Sequence, residues 1–196
     1  AKEPLDDILS ACRRAKSLVR QLLDFGRPDP GKRLPIDLAG VVRDVVRLMR
    51  STASARIRFV VELPERSPPV DADPSRLQQV VLNLVSNAVQ AIGARTGTVK
   101  LTVSVQASRV QGGDAKLVLR VEDDGCGMTD EVRERVFDPF YTTKMGRGGT
   151  GLGMHIVHTI VTRVLRGQIT VTSQVGVGTQ VRVVFPRELP DESAPQ

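Results

Sequence analysis

Apolar residues recurring at alternating spacings of three and four open the chain: Leu5, Ile8, Cys12, Ala15, Val19 and Leu22 predict a helix over residues 5–25. Leu9, Leu18, Leu23 and Phe25 widen that seam, so more than one stripe is available for burial against partner helices. Pro4 suits a first-turn position, and Gly26, Pro28, Pro30 and Gly31 end the helix and make a linker. The same seam would serve a helix packed on its own domain. Its continuation up to a Pro/Gly break favours a separate helical element.

Beyond the linker, residues 34–38 fit a short strand, and Leu38, Val41, Val42, Val45, Val46 and Met49 carry helical spacing. Residues 57–63 alternate as a strand and lead into a Pro-rich turn over 64–69. Asp73 can cap a helix that Pro74 begins, with Leu77, Val80, Val81, Leu84, Val85, Ala88 and Ile92 on one face. Val99, Leu101, Val103 and Val105, then Leu117, Leu119 and Val121, alternate as two strands joined through Gly112-Gly113. A short helix over 130–136, a loop over 137–149, a helix over 152–165 and a hairpin of 169–172 with 180–185 complete the pattern. Hairpins mixed with helices, without regular strand-helix alternation, predict an α/β fold: a two-layer α/β sandwich preceded by an N-terminal helix.

Composition narrows the class. With 196 residues, 40% hydrophobic and 26% charged, the chain has the make-up of a globular protein and no apolar run approaching a membrane span. No signal peptide is visible over residues 1–10. Cys12 and Cys126 fit no metal-ligand spacing, read as idle thiols, and suit a reducing, cytoplasmic compartment. The net charge of +6 raises nucleic acid as a partner, but aromatic residues are 3%, Trp is absent and the cations are dispersed among acids. A mildly basic surface suited to an anionic small molecule is the better reading.

Four polar and glycine-rich blocks supply the chemistry. Asn83 and Asn87, four apart, project from one helical face. Buried carboxamides need partners, and a hard cation such as Mg²⁺ accepts their neutral oxygens, although either Asn could instead cap a loop. Asp124, with Gly125 and Gly127, ends a strand where the backbone turns sharply; an ionised carboxylate there suits the exocyclic amine of adenine and rejects the carbonyl of guanine, favouring ATP over GTP. Gly149, Thr150, Gly151, Leu152 and Gly153 open a helix whose free N–H groups suit phosphate, with Gly146 and Gly148 loosening the loop and Lys144 and Arg147 within it as phosphate contacts or as exposed charges. The pattern is neither the P-loop nor the dinucleotide fingerprint. Gly176, Gly178 and Thr179 precede the last strand.

In this order the blocks resemble the N, G1, F, G2 and G3 boxes of sensor histidine kinases, in the superfamily shared with gyrase, MutL and the ninety-kilodalton heat-shock chaperone (GHKL). The resemblance spans roughly residues 31–187. It implies the GHKL ATP-binding fold, a mixed, mostly antiparallel sheet with helices on one face. The implied organisation is a partial dimerisation hairpin helix with its linker at 1–30, an ATP-binding catalytic domain at 31–189 and a flexible tail at 190–196. It further implies Mg²⁺ at Asn87 with Asn83 assisting, Lys144 in a catalytic contact with phosphate, and adenine selection by Asp124 helped by Thr179. ATP would be held by Gly125, Gly127, Phe140, Gly149, Thr150, Gly151, Leu152 and Gly153, under a lid from about Phe140 to Gly149 anchored by the box over 136–144.

Superfamily members that hydrolyse ATP carry a Glu at the position of Asn83, and an amide is no general base. The resemblance therefore implies a kinase that holds ATP for a separate nucleophile. That nucleophile is expected on a helix upstream of residues 5–25, because His155 and His158, the only histidines, lack the acceptor-box context. The sequence thus reads as a fragment unable to complete autophosphorylation alone. The implied partners are the phosphoacceptor helix, a response-regulator receiver domain and a second copy joined through residues 5–25, with no nucleic acid; the intact protein is expected to be cytoplasmic or anchored at a membrane. The alternatives are a GHKL-type ATPase, a protein-serine kinase of the same fold, and an ATP-regulated binding module without kinase activity.

Overall fold

The computed structural model describes residues 33–106, 115–144 and 149–186. The helix expected over 5–25, its linker, the Gly112-Gly113 link, Gly146, Arg147, Gly148 and the tail lie outside the described residues. Within them, β1 (Leu34–Asp37) leads into α1 (Leu38–Thr52), β2 (Ile57–Glu62), β3 (Pro69–Ala72) and α2 (Pro74–Ile92). Then follow β4 (Gly97–Gln106), β5 (Lys116–Asp123), α3 (Asp130–Glu134), α4 (Gly153–Thr159), β6 (Gln168–Gln174) and β7 (Gly178–Phe185).

Strand alternation decides the layering. Ile57 and Phe59 of β2, Val99, Leu101 and Val103 of β4, Leu117, Leu119 and Val121 of β5, and Val181, Val183 and Phe185 of β7 share one buried face. On that face lies α2, touching β4, β5 and β7, and both α1 and α4 pack against it. The main sheet runs β2-β4-β5-β7-β6, with β2 and β4 parallel and every other pair antiparallel. The fold is thus mixed α/β with a mostly antiparallel sheet.

Two features depart from the sequence reading. The Pro-rich stretch is followed by a strand, β3, which pairs antiparallel with β1 as a separate two-stranded sheet. Pro69 stands first in β3, a position where a missing N–H is tolerated. The last helix is α-helical only to Thr159; Ile160–Val164 form a π turn in which Leu165 N–H donates to the Ile160 carbonyl at 2.9 Å. Within that turn the Thr162 hydroxyl takes the His158 carbonyl at 2.7 Å.

The β1–α1 junction rests on Asp37. Its Oδ1 accepts from the α1 amide of Ala39 at 3.1 Å and from the Ser67 amide and hydroxyl at 2.9 and 2.7 Å, while Oδ2 accepts from Arg43 at 3.1 Å. Burial opposes ionisation of this carboxyl, but the Ser67 and Ala39 donors and the Arg43 guanidinium outweigh it, and its pKa is lowered. A depressed carboxylate pKa contributes stability that is present above the unfolded-state pKa, about 3.9, and is lost as pH falls through the folded value. Asp37→Ala should therefore cost about 1–2 kcal/mol at neutral pH, a difference from the parent that shrinks in denaturant titrations as pH falls below about 4. An undiminished difference in acid would contradict this account.

Candidate functional site

A cavity of about 340 Å³ opens between α2, the ends of β5 and β7, and the segments on either side of residues 145–148. One wall is α2. Its start is fixed by Asp73, which accepts from the Ser75 amide at 2.7 Å and the Ser75 hydroxyl at 2.6 Å, with Pro74 in the first turn. Leu77, Val80, Val81, Leu84, Val85, Ala88 and Ile92 bury the helix against the sheet, leaving Asn83 and Asn87 on the cavity side.

The two carboxamides differ in their anchoring. Asn83 Nδ2 donates to the Gln79 carbonyl at 2.9 Å, one turn back. Asn87 Nδ2 is buried with no hydrogen-bond partner among the described residues. A buried orphan donor costs about 1–3 kcal/mol and points to a group that completes it. Gly153, opening α4, faces both: a Cβ there would lie 3.3 Å from Asn83 Oδ1 and 3.6 Å from each Asn87 amide atom. The glycine thus keeps open a space bounded by two neutral oxygens and a free N–H. Such oxygens fit a hard divalent cation that shares its remaining positions with water and phosphate, and no cluster of three or more His, Cys, Asp or Glu offers another metal site among the described residues.

At the sheet end the structure corrects the sequence reading. Asp123 lines the cavity, and Asp124 does not. Asp124 Oδ1 instead accepts the Thr98 amide at 2.8 Å, and its carbonyl accepts from Arg95 at 2.9 Å, so this residue secures the start of β4. The reason is strand alternation: Leu117, Leu119, Val121 and Asp123 share the helix-side face, whereas Asp124 turns the other way. The Asp123 carboxylate accepts the Gly125 amide at 2.9 Å. Burial raises its pKa, with help from Asp124, against the opposing Gly125 and Thr179 amides and the Lys144 ammonium. Lys144 also lines the cavity, and its pKa is lowered by burial, against the pull of Cys126 and Asp123.

Gly127, Gly149, Thr150, Gly151, Gly153 and Thr179 line the cavity with Asn83, Asn87 and Lys144. Three other expected contacts do not. Leu152 is buried in the apolar core, on the face that Ile156 and Ile160 continue. Phe140 is 62% exposed and has φ +64°, held where its amide donates to the Gly151 carbonyl at 3.1 Å. Gly125 shapes the turn by its bond to Asp123 without lining the space. Gly127 must be glycine: its φ is +66°, and a Cβ would fall on the Gln174 carbonyl oxygen. The apolar lining of Val121, Met128, Val132, Val171 and Val181 was not foreseen, nor was the Cys126 thiol at its edge.

The histidines lie elsewhere. His155 Nδ1 meets the Phe137 carbonyl at 3.0 Å, and the His158 ring lies 4.8 Å from the Phe137 ring, its pKa lowered by burial with help from His155 and Arg163. They tie α4 to the segment around Phe137. Among the described residues, Asp123 is the only carboxylate lining the cavity, and no histidine lines it.

Residues 72–189 match the family described as histidine kinase-, DNA gyrase B-, and HSP90-like ATPase. The signal transduction histidine-protein kinase AtoS of Escherichia coli (strain K12) is 33% identical over 186 residues, covering 94% of this chain and 29% of AtoS. The catalytic domain of histidine kinase ThkA superposes with TM-score 0.67 at 29% identity, over 79% of this chain and 95% of that one. ThkA in complex with the response regulator TrrA gives 0.72 at 25%, over 92% and 49%. Full-length ShkA in complex with AMPPNP gives 0.70 at 30%, over 87% and 35%. The chain thus spans under a third of the curated relative it matches here.

Proposed function

The chain belongs to the histidine kinase-, DNA gyrase B- and HSP90-like ATPase family, as an ATP-binding catalytic domain of the histidine-kinase type, and from that premise we propose that it holds Mg-ATP for transfer of the γ-phosphoryl group to a histidine carried on another segment. One observation carries this reading. The face presented by α2 bears two carboxamides, and among the described residues the one carboxylate lining the cavity, Asp123, stands at the sheet end. Water activation at the phosphate end therefore lacks a base, whereas binding and charge neutralisation do not.

Each side chain has a task in this reading. Asp123 accepts from the adenine amine beside Thr179, and the apolar lining holds the base. Asn87, assisted by Asn83, binds Mg²⁺, which when present neutralises phosphate charge and orients it. The Asn87 N–H and the Lys144 ammonium meet phosphate oxygens, next to the backbone of Gly149, Thr150, Gly151 and Gly153. Residues 5–25 belong to a dimerising hairpin whose other helix carries the acceptor. The product phosphohistidine serves a response-regulator receiver domain, as the ThkA–TrrA complex supports. The setting is cytoplasmic; no helix among the described residues is long and apolar enough to cross a membrane.

The test is to supply the acceptor hairpin, either in a longer chain or in trans, with labelled Mg-ATP. The expected product is an acid-labile, alkali-stable phosphohistidine. Steady phosphate release without acceptor would point to an ATPase, an acid-stable product to a serine kinase, and tight binding with neither to a regulatory module.

A further inference from the structure

Three strands place one polar row beside the cavity. In the register of β5, β7 and β6, Asp123 stands opposite Thr179, and Thr179 opposite Ser173. Asp123 and Thr179 line the cavity; Ser173 stands behind them. Its hydroxyl has one proton and two lone pairs. The proton goes to the Gly178 carbonyl at 2.9 Å, and one lone pair accepts the Met128 amide at 2.9 Å. The remaining contact is Thr179 Oγ1, also at 2.9 Å. Ser173 has no second proton to give, so Thr179 is the donor in that bond. With its proton turned away, Thr179 presents only lone pairs to the cavity.

We propose that Ser173 is a positioning residue for base selection: by taking the Thr179 proton, it fixes Thr179 as an acceptor beside the acceptor Asp123. The inference rests on the reading of this cavity as an adenine-nucleotide site, and it extends that reading to a residue outside the cavity. Two adjacent acceptors match the two protons of an exocyclic amine, directly or through a water. They leave a keto oxygen at the same place without a donor. A Thr179 hydroxyl free to rotate would instead offer its proton to the keto group and weaken the discrimination. Ser173 also holds Met128, and with it the turn after Gly127, against β6.

The isosteric pair Ser173→Thr and Ser173→Val separates this role from mere packing, since only the first keeps the hydroxyl. In calorimetric titrations of the full 196-residue chain with ATP and with inosine triphosphate, which carries a keto group in place of the amine, Ser173→Thr should keep the parent ATP preference. Ser173→Val should lower the ratio of the two affinities about three- to tenfold, the worth of one neutral hydrogen bond. Ser173→Ala reads the same ratio should the valine variant not fold. A folded Ser173→Val or Ser173→Ala whose ratio stays within about twofold of the parent, below the effect of one hydrogen bond, overturns the proposal while leaving the ATP site intact. A parent chain that binds neither nucleotide overturns the underlying reading as well.

Discussion

Asp123→Asn is expected to weaken ATP binding about 10–150-fold, the range for losing a hydrogen bond to a charged group, without weakening the fold. The carboxylate can only accept, as the adenine amine requires, whereas an asparagine can rotate its own N–H₂ toward that amine. The stability effect has the other sign. Burial raises the Asp123 pKa in the folded chain, so the folded state favours the protonated acid. The stability this group contributes is fully present below its unfolded pKa and is lost as pH rises through the folded value. At neutral pH its charge weighs against the nucleotide-free fold, and the Asn variant, which can still accept the Gly125 amide, escapes that cost. Its thermal midpoint should equal or exceed that of the parent at pH 7, with the two converging in acid. A variant equally impaired in folding and binding would reduce Asp123 to a structural residue.

Asn87→Ala is expected to abolish the benefit of Mg²⁺, so that ATP affinity falls at least about tenfold and becomes the same with magnesium or with chelator. Its buried Nδ2 lacks a partner among the described residues, so the truncation removes an unsatisfied group and adds little cost to the nucleotide-free protein. Retained stimulation by Mg²⁺ in the variant would remove Asn87 from the metal site. Both substitutions follow one logic: a site made for a charged ligand holds groups that are poorly satisfied until the ligand arrives.

The parts of this architecture that were legible in the sequence are those where one local rule suffices. Helical spacing placed Asn83 and Asn87 on one face, and Asp73-Pro74 announced the start of α2. Assignments failed where two rules compete. Two adjacent acids, Asp123 and Asp124, both stand near the glycines, and only counting the alternation from Leu117 shows which faces the helices. Leu152 sits among the glycines proposed to bind phosphate, yet its spacing of four to Ile156 and Ile160 marks it as core. Strand β3 was hidden because Pro69 reads as a turn residue until its edge position is known. The Asp37–Ser67 and Ser173–Thr179 contacts depend on strand register and on loops folding back, which no local pattern encodes.

The central claim is that this cavity retains Mg-ATP and does not hydrolyse it. A calorimetric titration of the chain with Mg-ATP, followed by phosphate release on the same sample, tests it directly. The account predicts saturable binding of one ATP per chain, preference over GTP, and phosphate release no faster than the solution background. Sustained multiple-turnover release from the chain alone, or no binding of ATP, would contradict it.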